Sequence, residues 1–332
     1  MNFNKIRRQK FLSEKDYLEL RKVYEIDFQE VKTILSTGYY EGDPIAPTAY
    51  SSFRWGFAYD HLKLLLLDYT AGRPIEEVQA QLKDVIDAFD VYMANEVLPS
   101  ERTPPTNVAD VFNIEQLVAY VCVFWLLALC KLLRHDEFIS TVMKWVNRSY
   151  RFSRGVDSLF ENVVQKLAYN PARVPQEVLH PEPYQPLADA IIATAEKRPA
   201  LVKEFVESWY KGMKPCGWYG SHSVGFYFGY WCLEAALVTA LWDIDDSSYR
   251  DHLVYPKDLV DWYRAQKNLA PDGTPLKRRR ELKALPGEIC PRSGNWFRRS
   301  TQKYVKVKAG EPMPGPELDA YGQVIWYLEV EE

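Results

Sequence analysis

Apolar residues recur along most of this chain at the three-to-four spacing of helices buried on one side, with polar blocks between them. Ser13, followed by Glu14 and Asp16, supplies an N-cap with acids in the first turn. The positions Leu18, Leu20, Val23, Tyr24, Phe28, Val31, Ile34 and Leu35 then predict an amphipathic helix ending at Thr37-Gly38. A Gly/Pro-rich connection over 38–47 leads through Tyr50–Phe57 into an apolar helix that runs to Leu67 and is closed by Gly72-Arg73-Pro74. Further helices are predicted at Ile75–Met93, about Val108–Leu133, Asp136–Tyr150, Pro186–Lys197, Pro199–Met213 and Lys257–Gln266. Between Ala168 and Pro186 five prolines interrupt any period, which predicts a semi-rigid connector.

The strongest apolar signal is Phe226–Trp242, whose hydrophobic positions are not confined to one stripe; it predicts a helix buried on most of its circumference. A short echo, Ser52–Phe57 against Ser221–Phe226, hints at paired helical hairpins, each with a glycine at a crowded helix start. After about Leu269 the pattern changes. Tyr304–Lys308 and Val324–Tyr327 have the alternation or β-branched content of short strands between Gly and Pro turns. The expected fold is therefore mainly α, a multi-helix bundle of helical hairpins over 1–270, with helices over 12–151 and 184–268. A small β-containing module follows over 271–332.

Charge redraws this outline at two places. Between Trp231 and Tyr263 seven acids (Glu234, Asp243, Asp245, Asp246, Asp251, Asp258, Asp261) face two bases (Arg250, Lys257), so a buried helix delivers an anionic corner. From Arg264 to Gly310 thirteen bases face three acids, whereas 311–332 holds six acids and no base. The run Lys277–Arg280 with Arg298, Arg299 and Lys303 could neutralise phosphates, but the overall charge of −4 argues against nucleic acid as the main partner. Hydrophobic residues make up 47 % and charged residues 26 %, which excludes a disordered chain. Five cysteines, an odd number with three in apolar helical runs, fit reduced packing residues and a cytoplasmic setting. The N-terminus has no apolar signal region, and the longest apolar run, Leu117–Cys130, is shorter than the roughly 20 residues that span a bilayer; no membrane partner is expected.

Candidate chemistry is sparse. Asp245-Asp246 after Asp243 resembles the start of an aspartate-rich diphosphate motif, but Tyr249 stands where a further acid is needed. The loop also lacks the glycine and terminal glutamate of an EF-hand. Asp and Ser caps, with Asp251 and Asp258 paired to Arg250 and Lys257, account for the same residues. Glu234 lies among apolar neighbours and reads either as a general acid or as a structural carboxylate bonded to an Arg, Tyr or Trp. The histidines show no zinc spacing, and neither a serine elbow nor a phosphate loop is present. No cofactor, metal or catalytic residue is predicted.

The order and spacing of Gly229-Tyr230-Trp231, Glu234-Ala235-Ala236, Asp243–Ser247, Tyr249–His252 and Tyr255–Val260 resemble the signature of the PoNi-like bacterial immunity proteins. The resemblance implies an α-helical cytoplasmic antidote to a polymorphic toxin, often one delivered by type VI secretion and usually a PoNe-type DNase. It also implies inhibition by binding, without turnover. Cys290–Trp296, Gly310–Pro314 and Val324–Trp326 resemble a short, SH3-like β module found in other type VI immunity proteins.

On that basis the expected toxin-binding residues are Asp243, Asp245, Asp246, Tyr249, Asp251, Tyr255, Asp258 and Trp262. Gly229, Trp231, Glu234, Arg250, Pro256 and Trp296 are expected to carry structure. The partner is expected to be the cognate effector toxin, encoded by the adjacent gene, and the aromatic-rich helical surface is compatible with a homodimer. The alternative is an enzyme on an all-α scaffold using Glu234 or the Asp243/Asp245/Asp246 cluster.

Overall fold

The computed structural model describes residues 2–37, 46–95, 112–148, 153–167, 172–267, 269, 279–298, 303–316, 318–319 and 322–331. The chain forms two compact units, Met1–Ala265 and Gln266–Glu332. The first is helical: α1 (Phe3–Ile6), α2 (Glu14–Thr37), α3 (Ala46–Thr70), α4 (Ile75–Asn95), α5 (Leu117–Leu132), α6 (Ile139–Arg148), α7 (Ser158–Lys166), α8 (Pro181–Ile192), α9 (Arg198–Gly212), α10 (Leu233–Trp242) and α11 (Lys257–Gln266). Expectation and structure agree on a mainly α chain with a small C-terminal β region.

Local chemistry explains where these helices start and stop. The Ser13 hydroxyl accepts the Asp16 N–H at 3.0 Å at the head of α2. The α3–α4 turn passes through Gly72 at φ +91°, where a Cβ would stand 2.0 Å from the Ile6 carbonyl oxygen; only glycine permits that approach. Helix α5 is the hub, buried on nearly every side from Ala119 to Leu132 and packed against α10. At about 1.5–3 kcal/mol for each large apolar side chain removed from water, this pair anchors the first unit. Helices α3 and α4 form one hairpin and α8 and α9 another. Among the described residues no helix is long and apolar enough to cross a membrane. All five cysteines are buried thiols.

Four expectations are corrected. Helix α5 starts at Leu117 rather than about Val108, with 112–116 outside any helix, and the helix predicted at Pro186–Lys197 spans Pro181–Ile192, its first turn inside the predicted connector. The apolar run from Phe226 is not one helix: 226–232 is non-helical, and α10 starts only at Leu233. Gly225 and Gly229 take φ of +83° and +119°, and a Cβ on Gly229 would come within 2.2 Å of the Thr70 hydroxyl. Side chains replace helical bonding here. Thr70 donates to the Phe228 carbonyl at 2.8 Å, while Gln9 accepts the Tyr230 N–H at 2.9 Å and donates to its carbonyl at 2.6 Å. The echo of Ser52–Phe57 and Ser221–Phe226 fails too: the first lies inside α3, with open space at Gly56, and the second is a 3-10 turn. Residues 108–111, 149–150 and 168–171 of the predicted elements lie outside the described residues.

The second unit is a four-stranded antiparallel sheet of order β1-β6-β2-β3, built from β1 (Arg279–Ala284), β2 (Gly294–Arg298), β3 (Lys303–Val307) and β6 (Trp326–Glu331). A small hairpin, β4 (Leu318–Asp319) and β5 (Gly322–Gln323), precedes β6. Trp296, Val307, Trp326, Leu328, Cys290 and Met313 form its core. Trp296 is fully buried and donates its indole N–H to the Arg292 carbonyl at 3.1 Å.

Candidate functional site

The acidic corner begins where α10 ends. Asp243 takes the left-handed conformation (φ 51°, ψ 48°) and closes the helix as the Ile244 N–H reaches the Thr239 carbonyl at 3.0 Å. Asp245 faces solvent, but its carboxylate accepts the Ser247 N–H and hydroxyl, both at 3.0 Å; those bonds hold its pKa below the usual carboxylate value. Asp246 turns inward and is 3 % exposed. Its carboxylate takes Arg250 at 3.2 Å, Arg264 at 2.9 Å and the Tyr255 hydroxyl at 3.2 Å. The Arg264 guanidinium also donates to the Ile244 carbonyl at 2.7 Å.

The remaining acids are paired in the same way. Arg250 reaches Asp261 at 2.6 Å and Lys257 reaches Asp251 at 2.7 Å, lowering the Asp251 pKa. Arg8 comes from far away in sequence to bind Asp258 at 2.6 Å, while its other nitrogen donates to the Tyr69 and Arg73 carbonyls. Neither Arg8 nor Arg264 belongs to the 231–263 window, so the folded corner is less anionic than that window alone indicates. Tyr249 and Tyr255 are buried with their rings at right angles 5.0 Å apart, and Tyr249 shares a 2.8 Å bond with Thr239. Half-buried Trp262 donates to Glu76 at 2.8 Å. Of the eight residues expected at the interface, Asp246, Tyr249 and Tyr255 thus hold the corner together from inside. Asp243, Asp245, Asp251, Asp258 and Trp262 reach solvent.

Glu234 lies in the first turn of α10, fully buried. One carboxylate oxygen accepts the Tyr184 hydroxyl at 2.6 Å and the Trp209 indole at 3.3 Å. Burial pushes its pKa up to about 7, against the lowering effect of those bonds. Trp231 donates to Thr70 at 2.8 Å and packs edge-on against Tyr69; Pro256, also buried, stands just before α11. Gly229, Trp231, Glu234, Arg250 and Pro256 all serve packing or bonding inside the first unit.

A second surface was not foreseen. An opening of about 570 Å³ lies between α2, α3, the start of α5 and the 217–228 segment. Its floor is aromatic, with Tyr24, Trp55, Tyr59, Trp218 and Phe228; Trp55 and Tyr59 stack at 5.3 Å. Its rim is apolar and open to water: Val23 is 45 % exposed, Val118 41 %, Val224 67 % and Phe226 65 %. The signal was present in α2, whose apolar positions outnumber what one buried face needs. The helix buries Tyr17, Leu20, Tyr24 and Phe28, leaving Leu18, Val23 and Ile26 outside.

A helical body with braced charges and an open apolar groove has the make-up of a binding protein. Its fold is similar to that of the crystal structure of protein PA2201 from Pseudomonas aeruginosa, at a TM-score of 0.57 and 18 % identity over 79 % of this chain and 92 % of that one. No curated protein sequence matches the chain. Residues 8–145 match the N-terminal and residues 155–259 the C-terminal family model of the PoNe immunity proteins, PoNi. The chain belongs to the PoNi family of immunity proteins. The matched residues end at 259, so the β unit lies outside both models, and the groove is lined by residues of both.

Proposed function

We propose that this chain is the antitoxin of a cognate secreted effector, a PoNe-type nuclease encoded by the adjacent gene and delivered by type VI secretion, and that it acts in the producer's cytoplasm. It neutralises the toxin by binding and covering its substrate-binding surface. The observation that carries this reading is the match of both halves of the helical body to the immunity family. A nuclease must offer cations to a phosphate backbone. The outward carboxylates Asp243, Asp245, Asp251 and Asp258 would draw such a surface in and favour the correct orientation.

Two features weigh against turnover by this chain. Glu234 is sealed among Tyr184, Trp209 and Cys232, and Asp246 is committed to two guanidinium groups. Among the described residues no cluster of acids, histidines or cysteines is arranged to hold a metal ion.

The test is co-expression with the product of the neighbouring toxin gene, read by growth rescue and co-purification. Rescue together with a stable complex is expected. A well-folded chain that neither binds nor protects against a confirmed toxic neighbour refutes the pairing.

A further inference from the structure

The groove on the helical body leaves two kinds of chemistry unanswered. Val224 and Phe226 flank Gly225, whose left-handed backbone turns both side chains outward at two-thirds exposure. Val23 and Val118 face them across the opening. The rim is also charged unevenly. Asp60 is paired with Lys63 at 2.7 Å, and Lys63 lies over the Tyr59 ring, whereas Asp27 has no ion pair or hydrogen bond among the described residues. Desolvation and the nearby Asp60 and Asp27 charges all push the Tyr24 hydroxyl pKa upward, which places both acids beside the aromatic floor. A surface with apolar walls and one unmatched carboxylate is complementary to an apolar protrusion carrying a cation.

We propose that this groove is the toxin's seat, filled by a projecting segment of the toxin that inserts apolar side chains between Val23 and Phe226 and sets a Lys or Arg against Asp27. The assignment rests on the antitoxin reading and adds where the contact is made. The toxin is the occupant that fits, because a phosphate-handling enzyme carries cations around its working surface and an inhibitor must cover that surface. Burying an aromatic anchor in such a groove concentrates binding energy in a few residues, with the outward acids of the corner serving encounter.

The experiment measures affinity of the full chain for a catalytically inactivated product of the adjacent toxin gene. Phe226→Asp and Val23→Asp are each expected to weaken binding about 100-fold, and Asp27→Lys about 10-fold. Ile192→Asp, an exposed apolar position on α8 outside the groove, is the control and is expected to change nothing. Thermal midpoints matching the wild type confirm that the variants fold; Val224→Ser, at the most exposed of these groove positions, supplies a milder variant for the same comparison.

Groove variants that bind like the wild type overturn the proposal, whether or not corner variants weaken binding. So does a wild-type dimer that Phe226→Asp converts to a monomer with toxin affinity intact, since a second copy is then the occupant. A wild-type chain that fails to bind the probe refutes the antitoxin reading itself, a result distinct from wild-type binding that groove changes leave untouched.

Discussion

The acidic corner and the apolar groove belong to the same helical unit and treat their reactive groups in opposite ways. At the corner five carboxylates have a local answer: Asp246 has two arginines, Asp258 has Arg8, Asp261 has Arg250, Asp251 has Lys257 and Asp245 has Ser247. In the groove, Val224 and Phe226 remain in water and Asp27 has no ion pair or hydrogen bond among the described residues. The difference teaches that a conspicuous run of charge can be the framework of a fold, while a few unremarked apolar residues carry the unmet demand for contact. Density of charge in sequence measures neither exposure nor availability.

The largest expected effect concerns the one fully buried acid of the run, Glu234. Burial holds the Glu234 pKa at about 7 in the fold, against 4.5 for an ordinary glutamate, so the folded state keeps its proton more tightly than the unfolded chain. Its favourable contribution is complete below about pH 4.5 and is lost as pH rises through 7, a span of about 3 kcal/mol. By urea titration at pH 5 and pH 8, the wild type should lose about 2.5 kcal/mol relative to Glu234→Gln, a difference in which the opposing gain from His61, whose burial holds its pKa down to about 4, cancels. Equal slopes would show that Glu234 ionises as freely in the fold as outside it.

Next comes Asp246→Ala, which leaves Arg250 with Asp261 alone and Arg264 with only the Ile244 carbonyl. Because both guanidiniums retain roughly 30 % exposure, water absorbs part of the loss, and about 2–3 kcal/mol of stability should disappear by denaturant titration. A neutral result would remove the corner's role as a brace. Asp258→Ala, at 42 % exposure, should cost about 1 kcal/mol by the same measurement. Smallest of all, Phe226→Ser and Val23→Ser should shift stability by no more than about 0.5 kcal/mol. A larger loss would mean the groove wall supports the fold, and the contrast between the two surfaces would collapse.

Much of the architecture was legible in local pattern. The Ser13 cap, the Gly72 closure and the Lys257–Gln266 helix needed only neighbours within a few residues, and each is found where the spacing put it. The corner was legible as a set of acids but not as a circuit, because Arg8 lies 250 residues from Asp258 and Arg264 falls just past the counted window. The false helix at 226–232 has the same origin: its apolar content is real, yet Gly225, Gly229 and the distant Thr70 and Gln9 side chains impose a non-helical path. In α2 periodicity located the inward stripe but gave no measure of how much apolar surface the neighbours would cover.

The Gln9 clasp sets an order of events during synthesis. Its side-chain nitrogen bonds the Tyr230 carbonyl, 221 residues on, and the Leu253 carbonyl, 244 residues on. Residue 9 leaves the ribosome more than 200 residues ahead of these partners. Closing loops of that length is slow compared with forming the helices themselves. Chains stopped before Leu253 therefore hold an unfastened seam, which closes only after the later half arrives to be clasped by Gln9.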